Sequence, residues 1–301
     1  MDHLTVGQRV KYYRNQKKMS QAVLCGVEDE LTVRHLRRIE KDEVAPTTTS
    51  LEFLSARLEV PVNVLTGGSV ELPERYEFLK HELLKANVYG DKDRVDKEEA
   101  FFKEIFDDYF EILPVEEQNF AKLLYDVTRT YTSKSLSIEP TRLKEQFKLT
   151  QKKEIFVASD LLVLDLYVRS GFYASIDEKS LDLVGEKLIE QSKTIIGLEG
   201  EFLVKLWIVQ LNLYEFRGDF YKMEKLLSPL QELMKRTNNL VKKPIVDMLE
   251  GKFILFAQKD LVGASNKYQM ASQLAYLQED EFLSGKILEE WEQDKEKFVR
   301  K

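Results

Sequence analysis

MSQAVLCGVEDELTVRHLRRIEK, residues 19–41, decides how the first part of the chain folds. Ser20 offers a hydroxyl suited to capping a helix, and Gln21-Ala22-Val23-Leu24-Cys25 makes a short helix behind it. Gly26 and the acidic Glu28-Asp29-Glu30 read as a turn. Thr32 caps a second helix that runs from Val33 to about Lys41, with Val33, Leu36 and Ile39 on one face. With Leu36 inward and about 100° per residue, Arg34, Arg38 and Lys41 point nearly the opposite way. Outward from this stretch, Val6, Val10 and Tyr13 place an amphipathic helix from about Thr5 to Lys18. On the other side a helix follows Pro46-Thr47, with Leu51, Phe53, Leu54 and Leu58 inward. Pro61 opens a fifth helix that ends near Leu65, before Gly67-Gly68.

Val6-Gly7-Gln8-Arg9-Val10, Met19-Ser20-Gln21, Arg38-Ile39-Glu40-Lys41 and Leu51…Leu54…Leu58 occur in this order. The set resembles the helix-turn-helix domains of the Cro/Xre phage-repressor type. Ser20 and Glu40 stand about one residue further apart than in the commonest form, the extra residue falling in the Glu28–Glu30 turn. The resemblance implies that Arg34 and Arg38 meet base edges, where arginine reads guanine through two hydrogen bonds; phosphate contact or a solvated surface is the alternative. It places Gln21 on a phosphate. His35 and Arg37 sit on the flanks of the helix, where they could reach phosphates, and Lys41 is a further DNA-binding candidate. The resemblance also makes Glu40 the partner of Arg14 rather than a DNA contact. Cys25 reads as a small core residue, with a redox or intersubunit role as the alternative.

The charge distribution suits such a head. The 301 residues carry a net charge of −7. Residues 1–68 hold 10 Lys+Arg against 9 Asp+Glu, whereas the remainder holds 35 against 43. A locally basic head on an acidic body is what a DNA-binding regulator presents, and also what an ordinary solvated helix surface presents. One Cys and three scattered His exclude a disulfide framework and the usual metal-ligand spacings, so no metal or cofactor is expected. No apolar run approaches the ~18 residues of a membrane span, and the first residues lack a signal-peptide pattern. A cytoplasmic protein without membrane contact is expected. No phosphate-binding loop, nucleophile elbow or paired His–carboxylate set appears, so an enzyme is not expected.

Gly (13) and Pro (7) are scarce, which favours long helices with short connections. The fold class read from the chain is all-α. A helix-turn-helix domain over 1–68 and a linker over 69–75 precede a degenerate helical-repeat solenoid over 76–301. Expected helices include Asp93 to Leu113, Glu154 to Arg169, Glu199 to Arg217 and Leu261 to Leu277. The clearest repeat trace is Ala264-x3-Tyr268-x2-Ala271, similar to the second helix of a tetratricopeptide repeat. Arg217-Gly218-Asp219-Phe220-Tyr221 fits the turn into another such helix. Repeat solenoids carry a concave binding face. In the apolar helix from Glu199, Gln210 and Asn212 can bond a ligand's main chain as donor and acceptor, and Lys205 is a further candidate contact; facing solvent or a neighbouring helix is the alternative.

Joined in one chain, these parts resemble the Rgg/PlcR/PrgX-type (RRNPP) peptide-responsive regulators. The likeness is nearest to their streptococcal ComR subgroup. Leu31-Thr32-Val33-Arg34-x-Leu36-x-Arg38-Ile39-Glu40-Lys41 and Phe110-Glu111-Ile112-Leu113-Pro114-x-Glu116-Glu117 carry it. The resemblance implies that a short signalling peptide enters the array, frees the helix-turn-helix and promotes a homodimer on an inverted DNA repeat. Activation of competence or bacteriocin-type genes would follow. It implies a basic pocket residue in the region of Arg94. The acidic Asp107, Asp108, Glu116 and Glu117 are candidates for a latch over Arg34, Arg37 and Arg38. The rival reading keeps the DNA-binding head but makes the chain a constitutive dimer whose array docks a protein.

Overall fold

A computed structural model describes residues 4–26, 31–67, 72–85, 90–133 and 135–300. The described residues form helices and connections and contain no strand. The chain divides into two units, 1–78 and 79–301, and the division falls inside helix α6 (Glu74–Lys85).

The first unit begins its helices by local chemistry. Thr5, Ser20, Thr32 and Thr47 each accept a backbone N–H three residues on. They start α1 (Val6–Gln16), α2 (Gln21–Cys25), α3 (Val33–Glu40) and α4 (Thr48–Leu58). Gln8 returns the bond to Thr5, closing a capping box. Pro61 precedes α5 (Val62–Thr66), which Gly67 ends with φ 106°. Val10, Leu24, Leu36, Ile39, Leu54 and Leu58 are fully buried in one core, and Cys25 sits among them. Burial raises the Cys25 thiol pKa, which suits packing rather than reactivity. The turn expected over Glu28–Glu30 lies outside the described residues.

Two contacts explain residues of the Val6–Val10 motif. A Cβ on Gly7 would stand 1.9 Å from the Ile39 carbonyl oxygen, so only glycine lets α1 approach the end of α3 this closely. Arg9 is buried and donates to the Leu4 carbonyl at 3.0 Å and the Val64 carbonyl at 3.3 Å, tying α1 to α5.

The second unit follows with α7 (Lys92–Glu104), α8 (Val115–Ser133), α9 (Pro140–Thr150), α10 (Ala158–Ser170) and α11 (Glu178–Ser192). Then come α12 (Gly197–Arg217), α13 (Phe220–Arg236), α14 (Lys243–Phe253), α15 (Leu261–Leu277) and α16 (Glu281–Val299). Helices α8, α10, α12 and α14 pack against one another in that order and form an inner row. Their partners α9, α11, α13 and α15 lie outside it. Most of α10 is buried, because an inner helix meets neighbours on every side.

The repeat signature works as packing. Ala264, Tyr268 and Ala271 are completely buried on α15. A Cβ on Gly251 of α14 would come within 2.8 Å of the Tyr268 ring, so small faces large across the helix pair. Gly218, at φ 71°, ends α12, and Asp219 caps α13.

Two expectations change. The helix expected over Asp93–Leu113 breaks into α7, a π-helical turn at Ile105–Tyr109 and a 3-10 turn at Phe110–Ile112. Four-residue steps along an α-helix drift by about 40°, and the wider turn counters that drift. Phe106 thereby meets both Phe110 (5.4 Å) and Tyr125 of α8 (5.4 Å). The helix expected from Glu154 starts at Ala158 instead, because Asp160 takes the Val157 N–H at 3.2 Å and ends the preceding loop there.

Candidate nucleic-acid interface and ligand cavity

Helix α3 separates its two faces sharply. Leu36 and Ile39 are fully buried, whereas Arg34, Arg37 and Arg38 are exposed and His35 is half-buried. Arg38 and Lys41 share Glu43 at 3.8 Å each, an open arrangement that a phosphate or base edge can outcompete. Arg34 and Arg37 form no ion pair among the described residues. A short helix with this cationic outer face has the form needed to lie in a major groove.

Glu40 holds that helix in place. Its carboxylate takes Arg14 Nε at 2.6 Å and the second Arg14 nitrogen at 3.1 Å. Gln21 Nε2 adds a bond of 2.7 Å, and Arg14 also donates to the Met19 carbonyl at 2.8 Å. Three helices therefore meet at one almost buried carboxylate. The expected Arg14–Glu40 pair is present. Gln21, expected on a phosphate, has its amide oriented by Glu40 at the start of α2.

The second unit holds a half-open cavity of about 950 Å³ lined by the inner row and α6, α7 and α16. That volume is at the upper end for small-ligand pockets. Its wall is largely apolar and aromatic, including Phe172, Tyr173 and Phe202, with six cations against three carboxylates.

The charged groups of the wall differ in how well they are answered. Asp165 and Arg169 pair one turn apart on α10. Lys252 lies between Glu290 at 2.8 Å and Asp294 at 2.7 Å. Burial opposes its charge, yet those carboxylates lift its pKa above the ordinary lysine value. Asp294 is wholly buried and also takes Tyr268 Oη at 2.7 Å and Lys297 at 2.9 Å.

Glu98, from α7, differs. It is 6% exposed, its Oε2 accepts no hydrogen bond from the described residues, and burial pushes its pKa up to about 7 against the pull of Lys205 and Lys242. Burial in turn lowers the pKa of Lys205, and of Lys242 further still. Lys205 donates to the Leu84 carbonyl at the end of α6.

Of the four residues expected at the ligand, two line the cavity. Lys205 and Asn212 are seven apart and share a face of α12, and Asn212 Nδ2 donates to the Ile208 carbonyl at 2.9 Å. Gln210 lies about 140° round the helix from Lys205. It is buried away from the cavity and donates to Tyr214 Oη at 2.5 Å. Arg94 is also absent from the wall: Asp280, the cap of α16, holds it through two bonds of 2.8 and 2.9 Å, and Asp91 adds a contact at 3.3 Å.

Asp107 and Asp108 are exposed on the π-turn and Glu116 is half-buried, while Glu117 pairs with Lys80 at 2.8 Å. Glu98, Lys242 and Lys252 were not anticipated. Asp165 and Arg169 had a visible signal, two opposite charges four apart inside the apolar run LLVLDLYVRS.

Among the described residues no group of His, Cys, Asp and Glu is placed to hold a metal ion. No described helix is long and apolar enough to cross a membrane.

Comparison with known proteins adds context to this geometry. The family model described as ComR tetratricopeptide matches residues 73–291. The crystal structure of ComR from Streptococcus suis is 30% identical, covering 98% of this chain and 96% of that one, with a TM-score of 0.64. The competence regulator ComR from Streptococcus vestibularis, in complex with its cognate signalling peptide XIP, is 27% identical over 96% of this chain and 98% of that one, with a TM-score of 0.68. ComR from S. thermophilus, solved with DNA and its signalling peptide ComS, shares the fold at 24% identity over 96% of this chain and 99% of that one, with a TM-score of 0.69. No curated protein matches the chain in sequence.

Proposed function

The chain belongs to the ComR tetratricopeptide family, and on that premise we propose that it is a peptide-responsive, DNA-binding transcriptional regulator. The observation that carries this reading is one chain holding two sites: a helix-turn-helix with a cationic outer face on α3, and a cavity of about 950 Å³ in a helical array. The relatives support both partners, since one ComR is described with DNA and ComS and another with XIP. A surplus of cations in the wall suits a peptide bearing free carboxylates. Lys205 and Asn212 are the contacts retained for it; Arg94 and Gln210 act as supports behind the wall.

Peptide binding releases the head and promotes a homodimer on an inverted repeat, in the cytoplasm, at genes of competence or bacteriocin type. The exposed pair Asp107 and Asp108, with Glu116 and Glu117, covers Arg34, Arg37 and Arg38 in the ligand-free state. Exposed ion pairs contribute only about 0–1 kcal/mol each, so several together make a reversible latch. Reversing Asp107 and Asp108 to lysine should give DNA binding without peptide; continued peptide dependence would remove the latch.

The test of the whole reading is paired and run at one salt concentration, because DNA affinity depends steeply on salt. Solution mass and binding to an inverted-repeat duplex are followed with and without synthetic XIP-type peptides and a random octapeptide pool. A monomer that dimerises and binds only with peptide supports the reading. A ligand-free dimer with peptide-independent affinity refutes it in favour of a constitutive regulator.

A further inference from the structure

Among the described residues no donor answers Glu98 Oε2. Its side chain forms part of the cavity wall, it is almost wholly buried, and its Oε2 accepts no hydrogen bond from any described group. A buried acceptor in this state is costly to keep. Other charged groups of the same wall are paired, as Asp165 is with Arg169 and Lys252 with Glu290.

The surroundings constrain what can answer it. Lys205 of α12 and Lys242, just before α14, face Glu98 electrostatically, and Tyr131 of α8 is the third titratable neighbour. Behind the two lysines stand Asp165 and Arg169 of α10, Glu201 of α12 and Asp280. Lys205 is already turned to the Leu84 carbonyl. The cavity has a surplus of cations, so a further cation placed beside these lysines would be repelled. A neutral N–H adds no charge and satisfies the acceptor.

Resting on the peptide-sensor reading, we infer that Glu98 is a specificity-determining residue of the cavity. It accepts a hydrogen bond from a neutral amide N–H of the bound peptide, main-chain or carboxamide. Peptides are therefore selected for an amide donor between α7 and α12, and one that presents a carboxylate there is rejected.

The test uses the full chain and a pool of random synthetic octapeptides with free termini. The pool is retained on the wild-type protein, and the best-retained peptide is titrated calorimetrically against wild type, Glu98→Leu and Glu98→Gln. Glu98→Leu should bind at least about tenfold more weakly, the loss of one hydrogen bond to a charged group. It should melt no lower than wild type, since it removes a group without a partner. Wild-type affinity should rise as pH increases towards about 7 and level off above it, because the amide donor selects the carboxylate and binding releases its proton. Glu98→Gln should flatten that dependence.

Equal affinity for Glu98→Leu overturns the inference, and so does affinity that rises as pH falls, which would mean a ligand accepting from the protonated acid. A wild-type protein that retains no peptide fails the sensor reading itself, and the inference with it.

Discussion

Replacing Glu40 by alanine should destabilise the DNA-binding head while the helical array stays intact. The Glu40 side chain is 3% exposed and that of Arg14 11%. Substitution removes two bonds to Arg14 and one to Gln21, leaving the guanidinium with the Met19 carbonyl. Breaking a buried ion pair from one side costs about 3–5 kcal/mol; the residual bond and exposure of Arg14 put this case near roughly 3 kcal/mol. A head of its size has a total stability of about 4–10 kcal/mol. The loss is a third or more of that, and corresponds to about 12–24 °C in melting temperature. The chain offers a clean assay, because both tryptophans, Trp207 and Trp291, lie in the second unit. Circular dichroism follows both units, whereas tryptophan fluorescence follows the array alone. Glu40→Ala should move part of the dichroism transition down and leave the fluorescence transition in place. DNA binding should fall off at the lowered temperature at which the head melts. Glu40→Gln, which keeps the shape and one acceptor, should fall between. A dichroism melt within about 1 kcal/mol of wild type would refute the assignment of Glu40 as the clamp of the three helices.

Three further outcomes are expected. Asp294→Ala removes the acceptor of buried Tyr268 and one of the two carboxylates at buried Lys252, which keeps Glu290, and should cost about 3 kcal/mol, or about 6–12 °C in the fluorescence melt; exposed Glu292→Ala is the control. Arg34→Ala and Arg38→Ala should each weaken specific binding by about 1–3 kcal/mol and relax one base position. Lys41→Ala should weaken all duplexes alike and reduce the salt slope by about 1; equal behaviour of all three would place the arginines on phosphates. The raised carboxyl pKa of Glu98 means that the folded chain keeps a proton the unfolded chain releases. Its contribution is complete below about pH 4.5 and is lost as pH rises through about 7, a change of roughly 3 kcal/mol. Wild type minus Glu98→Gln in urea-unfolding free energy should trace that loss, and parallel curves would contradict it.

The head was legible nearly to the residue because its signals are local. A hydroxyl at Thr5, Ser20, Thr32 or Thr47 caps a backbone N–H three positions away, whatever the rest of the chain does. The single long-range contact expected there, Arg14 with Glu40, came from the motif resemblance. The spacing of Ala264, Tyr268 and Ala271 likewise declared a packed face before any partner helix was known. The π-turn after α7 left no such trace in the sequence; in the fold its Phe106 packs on Tyr125 of another helix.

The cavity divides the two kinds of information most plainly. The residues of α12 set which side chains share a face, so Lys205 and Asn212 go together and Gln210 goes elsewhere. Which face meets the cavity was decided by α10 and α14 packing on either side. Arg94 reads in sequence as a free cation near a pocket, but Asp280, 186 residues further on, takes it up. Glu98 sits in the polar stretch DKEEAFFKE, where nothing marks it from Glu99; folding buries one and pairs the other with Arg129. Helix starts, amphipathic faces and the charge of the α3 surface follow from neighbours within a few residues, and the sequence determines them alone. Whether a buried charge finds a partner depends on helices far apart in the chain, and only the tertiary structure decides it.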